Sequence, residues 1–132
     1  MVTPSPVRAT AGMPYRVAAA VGRYGEQLAA RYLRDLGYAV LAANWRCPQG
    51  EIDIVARDGA TLVVCEVKTR RGVSYGPPQA AVTPHKLARL RQLAAVWVQE
   101  HPGDYGQMRV DVVAVSRPPT GPALVEHLVG VG

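Results

Sequence analysis

The chain has little cysteine, no phenylalanine and no long apolar run. Cys47 and Cys65 are the two thiols in 132 residues. Two thiols cannot build a four-thiolate zinc site, and a reducing compartment leaves them as small apolar side chains. The run Val17 to Val21 is too short for the apolar part of a secretory segment and leads straight into Gly22-Arg23-Tyr24-Gly25-Glu26. Nothing approaches the roughly 18 apolar residues of a spanning helix. These absences predict a cytoplasmic protein with no membrane partner. His85, His101 and His127 share no spacing, so they read as surface residues and not as metal ligands. There is no phosphate-cradling glycine loop and no nucleophile elbow, which leaves a hydrolase for small substrates with little support.

What is present fits one domain. An apolar fraction of 48% and a charged fraction of 19% argue against a mostly disordered chain. The net charge of +5 makes a polyanion the natural partner. Thirteen of the 15 cations are Arg, and only Lys68 and Lys86 are Lys. Most of the arginines read as solvated surface. The placing of a lysine, whose ammonium can be tuned where a guanidinium cannot, is more informative.

Residues 1–16 carry Pro4, Pro6 and Pro14 without any period and read as a flexible tail, leaving 17–132 as the domain. From Val17 to Leu36 apolar residues recur at three and four, one face of a helix closed by Gly37, with Glu26 at the edge of that stripe. Tyr38 to Trp45, Glu51 to Arg57 and Ala60 to Thr69 read as three strands in a meander, joined by Cys47-Pro48-Gln49-Gly50 and by the hairpin signal Asp58-Gly59. Thr83-Pro84 opens a second helix ending near His101-Pro102. Met108 to Val115 is a strand and Ala123 to Val129 a last edge strand. The predicted order is α-β-β-β-α-β-β.

With Asp58-Gly59 as a two-residue turn, Asp53 faces Val64 and Glu51 faces Glu66. Alternation then puts Glu51, Asp53, Glu66 and Lys68 on one face, and Ile52, Ile54, Val63, Cys65 and Val67 on the other. Opposed like charges destabilise a sheet unless a cation lies between them, and oxygen ligands suit Mg²⁺ or Mn²⁺. A solvated strand pair, with Lys68 balancing Glu66, is the alternative. It is disfavoured because Val63 to Val67 is nearly all apolar and reads as a central, covered strand.

Gly50-Glu51-Ile52-Asp53-Ile54-Val55 followed by Val64-Cys65-Glu66-Val67-Lys68-Thr69-Arg70 resembles the PD-(D/E)XK nuclease core. The version most similar is that of Holliday-junction resolvases and RecB-type nucleases. The span from Gly22 to Leu128 resembles a family of small bacterial endonuclease-like proteins, through Gly25-Glu26, Leu36-Gly37-Tyr38, Asn44-Trp45-Arg46 and Arg109-Val110-Asp111-Val112-Val113. The resemblance implies an α/β, restriction-endonuclease-like mixed sheet flanked by helices. It implies an ion held by Asp53, Glu66 and the Val67 carbonyl, with Glu26 reaching it directly or through water. Lys68 would orient or deprotonate the attacking water, and Glu51 is either an outer carboxylate of the site or a surface one. Val110 stands where the family carries an aromatic residue, and Gln79 where an acid is expected. Asp111 reads as a structural strand-end carboxylate.

Arg46, Arg70, Arg71 and Lys86 are the candidates for gripping phosphate, with Arg89 and Arg91 beside them if the loop Gly72 to Val82 folds over the acidic face. Tyr75 in that loop either anchors it or stacks on a base. Two functions remain open. The first is a Mg²⁺- or Mn²⁺-dependent endonuclease on DNA rather than RNA, acting on branched intermediates and as a homodimer if it handles four-way junctions. The second is a non-catalytic nucleic-acid-binding or adaptor domain that retains the fold.

Overall fold

The computed structural model describes residues 7–10, 21–71 and 82–132. Its elements are β1 (Val7–Thr10), α1 (Val21–Asp35), β2 (Ala39–Cys47), β3 (Gly50–Asp58), β4 (Thr61–Arg71), α2 (Pro84–Glu100), β5 (Gln107–Arg117) and β6 (Leu124–Leu128). From α1 onward the order is the expected α-β-β-β-α-β-β, and the layout is α/β and restriction-endonuclease-like, a mixed sheet flanked by two helices. The strands lie in the order β1-β6-β5-β4-β3-β2. Among the described strands only β4 and β5 pair in parallel, and α2 is the crossover that a parallel pair requires.

Local chemistry sets the helix ends. Gly37, at φ +97°, lets the chain turn back so that the Gly37 N–H donates to the Arg34 carbonyl at 2.9 Å and the Tyr38 N–H to the Leu33 carbonyl at 3.0 Å. At the other helix, Thr83 Oγ1 accepts the Lys86 N–H at 3.1 Å and Pro84 fills the first turn. On one side of the sheet Tyr24, Leu28, Ala29 and Leu33 pack against Ile54, Val63, Cys65 and Val113. On the other, Leu90, Leu93, Ala94 and Trp97 cover Ile52, Val55, Val64 and Val110. Burial on both sides explains the unbroken apolar runs Leu62 to Cys65 in β4 and Val112 to Val115 in β5.

Two expectations about strand pairing need correction. The tail reading fails at Val7–Thr10, which extend the sheet antiparallel to β6, Val7 opposite His127 and Thr10 opposite Leu124. Ladder bonds use backbone groups, so an open edge recruits a segment that shows no side-chain period. The rest of residues 1–16, the helix start at Val17, and the loop residues 72–81 with Tyr75 and Gln79 lie outside the described residues. The hairpin is also centred one residue later than expected, because Asp58 pairs with Thr61 and Gly59, at φ +59°, takes the first central position. A turn over Asp58-Gly59 would force positive φ on Asp58, whereas this one asks it only of the glycine. Each pairing therefore slips by two residues, with Val64 opposite Val55 instead of Asp53. An even slip leaves every side chain on its own face.

Candidate active site

An open cleft of about 720 Å³ lies at one end of the sheet between the helices, lined by Glu26 from α1, Glu51 and Asp53 from β3, Glu66 and Lys68 from β4, and Lys86 from α2, among others. The four candidate acids and both lysines thus meet in one place. In the two-residue slip, Asp53 moves to the level of Glu66. The β3–β4 ladder ends at the preceding pair, Ile54–Cys65, and the Val67 N–H donates instead to Asp53 Oδ2 at 2.8 Å. A carboxylate has replaced a ladder carbonyl.

The ladder ends where β3 and its edge neighbour β2 change face. Ile52 and Val55 pack into the same cluster under α2, as do Ala42 and Trp45 opposite them, although residues three apart on a regular strand point opposite ways. Ile52 therefore does not share a face with Ile54, contrary to the alternation expected. Between the pairs Ala43–Ile54 and Trp45–Ile52 sits Asn44, at φ +53° the one non-glycine residue with positive φ among the described residues. Asn tolerates this left-handed conformation better than other side chains. Asn44 lies opposite Asp53, so the irregularity that turns Asp53 out of the ladder is written into β2.

The helices complete the cleft. A Cβ added to Gly25 would fall 1.9 Å from Thr69 Oγ1 and 3.0 Å from Thr69 Cβ, so α1 crosses β4 at a contact only glycine permits. That approach brings the next residue, Glu26, to the cleft. From α2, Lys86 Nζ donates to Glu66 Oε2 at 2.5 Å, with the glutamate side chain 14% exposed. Arg46 lies 3.9 Å from Glu51 Oε2, both well exposed, a pair of small energetic weight.

Burial pushes the Asp53 carboxyl up to about 6; the Val67 N–H pulls against this, and Glu66, Glu26 and Glu51 add to it. A carboxylate shifted in this direction is one that a cation would relieve. The conflict amounts to at most about 3 kcal/mol, which the burial of one or two core aliphatic side chains offsets. Among the described residues no group of three or more His, Cys, Asp or Glu side chains is arranged to enclose a metal ion. The arrangement fits a hard ion held by two carboxylates and completed by water and substrate oxygens, the usual manner of Mg²⁺. Asp53 and Glu66 could hold it, with Glu26 and Glu51 on the rim.

Of the expected phosphate contacts, Arg46 and Lys86 line the cleft and Arg70 does not. The side chain of Arg71 lies outside the described residues. Sequence reasoning missed the Glu66–Lys86 pair and the Cys47, Gly50, Leu90 and Leu93 part of the lining. The Cys47-to-Gly50 turn and the apolar stripe of α2 were the signals for the latter.

His127 is not a surface residue. It is fully buried, its Nε2 2.7 Å from Asp111 Oδ2, while Arg109 Nε donates to Asp111 Oδ1 at 2.9 Å and the Gly130 N–H to the same oxygen at 3.0 Å. Burial would raise the Asp111 pKa, but the hydrogen bonds from His127, Arg109 and Gly130 outweigh it and hold the carboxyl below its ordinary value. Asp111 is structural, as expected, and none of this network lines the cleft.

Fold and cleft together define an α/β protein of restriction-endonuclease-like layout, with acids and lysines gathered at one end of its sheet. The chain belongs to the uncharacterised protein family UPF0102, whose pattern matches residues 25–115. It is 59% identical over 113 residues to a UPF0102 protein of Kineococcus radiotolerans, covering 85% of this chain and 93% of that one. It is 54% identical over 118 residues to one of Frankia alni (89% and 98%). With one of Streptomyces coelicolor it shares 55% over 127 residues (95% and 98%). Among the described residues no helix is long and apolar enough to cross a membrane.

Proposed function

We propose that this protein is a metal-dependent endonuclease hydrolysing phosphodiester bonds in DNA, with branched recombination or repair intermediates as its substrates. The observation that carries the reading is the convergence of Asp53 and Glu66 with Lys68 in an open cleft, where burial and neighbouring acids load the ionised Asp53 with a conflict that a bound cation relieves at neutral pH. Asp53, Glu66 and the Val67 carbonyl would hold Mg²⁺ or Mn²⁺, with Glu26 reaching it directly or through water. When bound, the ion supplies Lewis-acid polarisation of the scissile phosphate and charge stabilisation of the leaving oxygen. Lys68, exposed at the cleft, orients the attacking water or takes its proton, the latter a task open to an amine and closed to a guanidinium. Arg46, Lys86 and Arg89, which line the same cleft, bind the flanking phosphates. Cutting a four-way junction symmetrically requires two copies of the chain.

The test is a panel of single-stranded, duplex, flap and four-way-junction DNA incubated with and without Mn²⁺. Cutting that depends on the ion, lost in Asp53→Asn and Lys68→Ala while DNA binding persists, is the expected result. Binding without cutting under every divalent ion tried would establish the adaptor reading instead.

A further inference from the structure

Lys86 stands at the third position of α2, counted from the cap residue Thr83, whose Oγ1 accepts the Lys86 N–H. That position favours Glu or Gln, whose side chain returns to the cap, and the positive end of the helix dipole disfavours a cation. The first turn of α2 holds no acid at all. A lysine there works against its own helix, and a local rule broken without local benefit points to function. Its ammonium donates to Glu66 Oε2 at 2.5 Å, on one of the two carboxylates best placed to hold an ion. Lys68 is the other lysine of the cleft, and it takes part in none of the ion pairs among the described residues.

We propose that Lys86 is a built-in counter-cation. It occupies Glu66 in the metal-free protein, competes directly with a divalent ion for that carboxylate, and is released toward substrate phosphate when the ion binds. The inference rests on the nuclease reading of the same cleft and adds to it a residue that sets the ion's affinity. Loss of Lys86 therefore tightens metal binding, whereas loss of an ordinary supporting residue weakens it.

Calorimetric titration of the full chain with Mn²⁺ alone, without DNA, tests this. Lys86→Gln should bind Mn²⁺ roughly two- to fivefold more tightly than wild type, the worth of a half-exposed ion pair. Lys86→Arg, which keeps the charge on Glu66, should stay near wild type. Lys68→Gln, which removes a charge from the same cleft without freeing Glu66, should change affinity less than Lys86→Gln. Equal or weaker binding by Lys86→Gln, or equal tightening by Lys68→Gln, overturns the proposal and leaves the nuclease reading standing. Absence of Mn²⁺ binding by wild type and both glutamine variants removes the nuclease reading, and this inference with it.

Discussion

Asp53 is held between two demands. Its Oδ2 accepts the Val67 N–H, which fixes it in the cleft, while burial and the charges of Glu66, Glu26 and Glu51 oppose its ionisation and push its pKa up to about 6. An acid whose folded pKa is raised destabilises the native state once ionised. That penalty is absent below about pH 4, grows between about pH 4 and 6, and is complete above. Asp53→Asn should therefore raise the metal-free melting midpoint at pH 7 to 8, by at most about 3 kcal/mol of unfolding free energy. The same variant should lose DNA cutting, and Mn²⁺ should stabilise wild type and not Asp53→Asn in thermal melts. A fall in metal-free stability on substitution would mean that Asp53 is a structural hydrogen-bonding residue and not a charged group waiting for a cation. Glu51→Ala supplies the contrast: its partner Arg46 is 3.9 Å away and exposed, so stability should change by less than about 0.5 kcal/mol in urea melts.

The site depends on two places where elements depart from regular geometry. At Gly25, α1 approaches β4 so closely that an added Cβ meets Thr69 Oγ1 and Cβ together. Gly25→Ala should move α1 away from β4 and carry Glu26 out of the cleft. Expected outcomes are a loss of roughly 1 to 3 kcal/mol in chemical unfolding, as for overpacked cores, and weakened Mn²⁺ binding. At Asn44, the left-handed residue opposite Asp53 lets β2 and β3 change face together. Asn44→Gly keeps that conformation open and should retain both fold and ion binding, whereas Asn44→Val should lose at least about 1 kcal/mol and weaken Mn²⁺ binding. Calorimetry and urea melts on the pair separate backbone conformation from the amide group itself. These departures also mark how far the sequence could be read. The order of elements from α1 onward, the helix caps and the apolar stripes of the helices were legible because period and capping are local. The gathering of Glu51, Asp53, Glu66 and Lys68 survived a hairpin centred on the wrong residue because the slip was even. The face change at Asn44 and the Lys86–Glu66 pair were not legible: one is a single backbone angle, the other a contact between residues twenty apart that packing alone creates.

Across the whole molecule, the Asp111 network ties together elements that the cleft does not. Arg109 and Asp111 from β5 meet His127 from β6, Arg109 Nη2 donates to the Tyr38 hydroxyl at 2.8 Å, and Arg109 Nη1 donates to Asp58 Oδ2 at the β3–β4 turn at 3.2 Å. The Tyr32 hydroxyl of α1 lies 3.3 Å from His127 Nδ1, and burial first, then Tyr38 and Asp111, push that phenol up to about 12. With the Asp111 and His127 side chains 0% and 1% exposed, removing one partner strands buried polar groups, so Asp111→Ala should lose about 3 to 5 kcal/mol. The pH response follows from two acids shifted in opposite directions. Asp111, held below its ordinary value, contributes stability that is complete above about pH 4 and is lost as pH falls through its folded value. Asp53 contributes instability that fades as pH falls from about 6 to about 4. Metal-free wild type should therefore gain stability on acidification from about pH 7, reach its maximum near pH 4 to 5, and lose stability below. Urea melts across that range check both limbs. Asp53→Asn should flatten the gain and leave the acid loss intact, and Mn²⁺ should do the same to wild type at neutral pH by occupying the charge that Asp53 exposes. A gain that persists in Asp53→Asn would assign the neutral limb to another group and detach the cleft's electrostatics from the fold's.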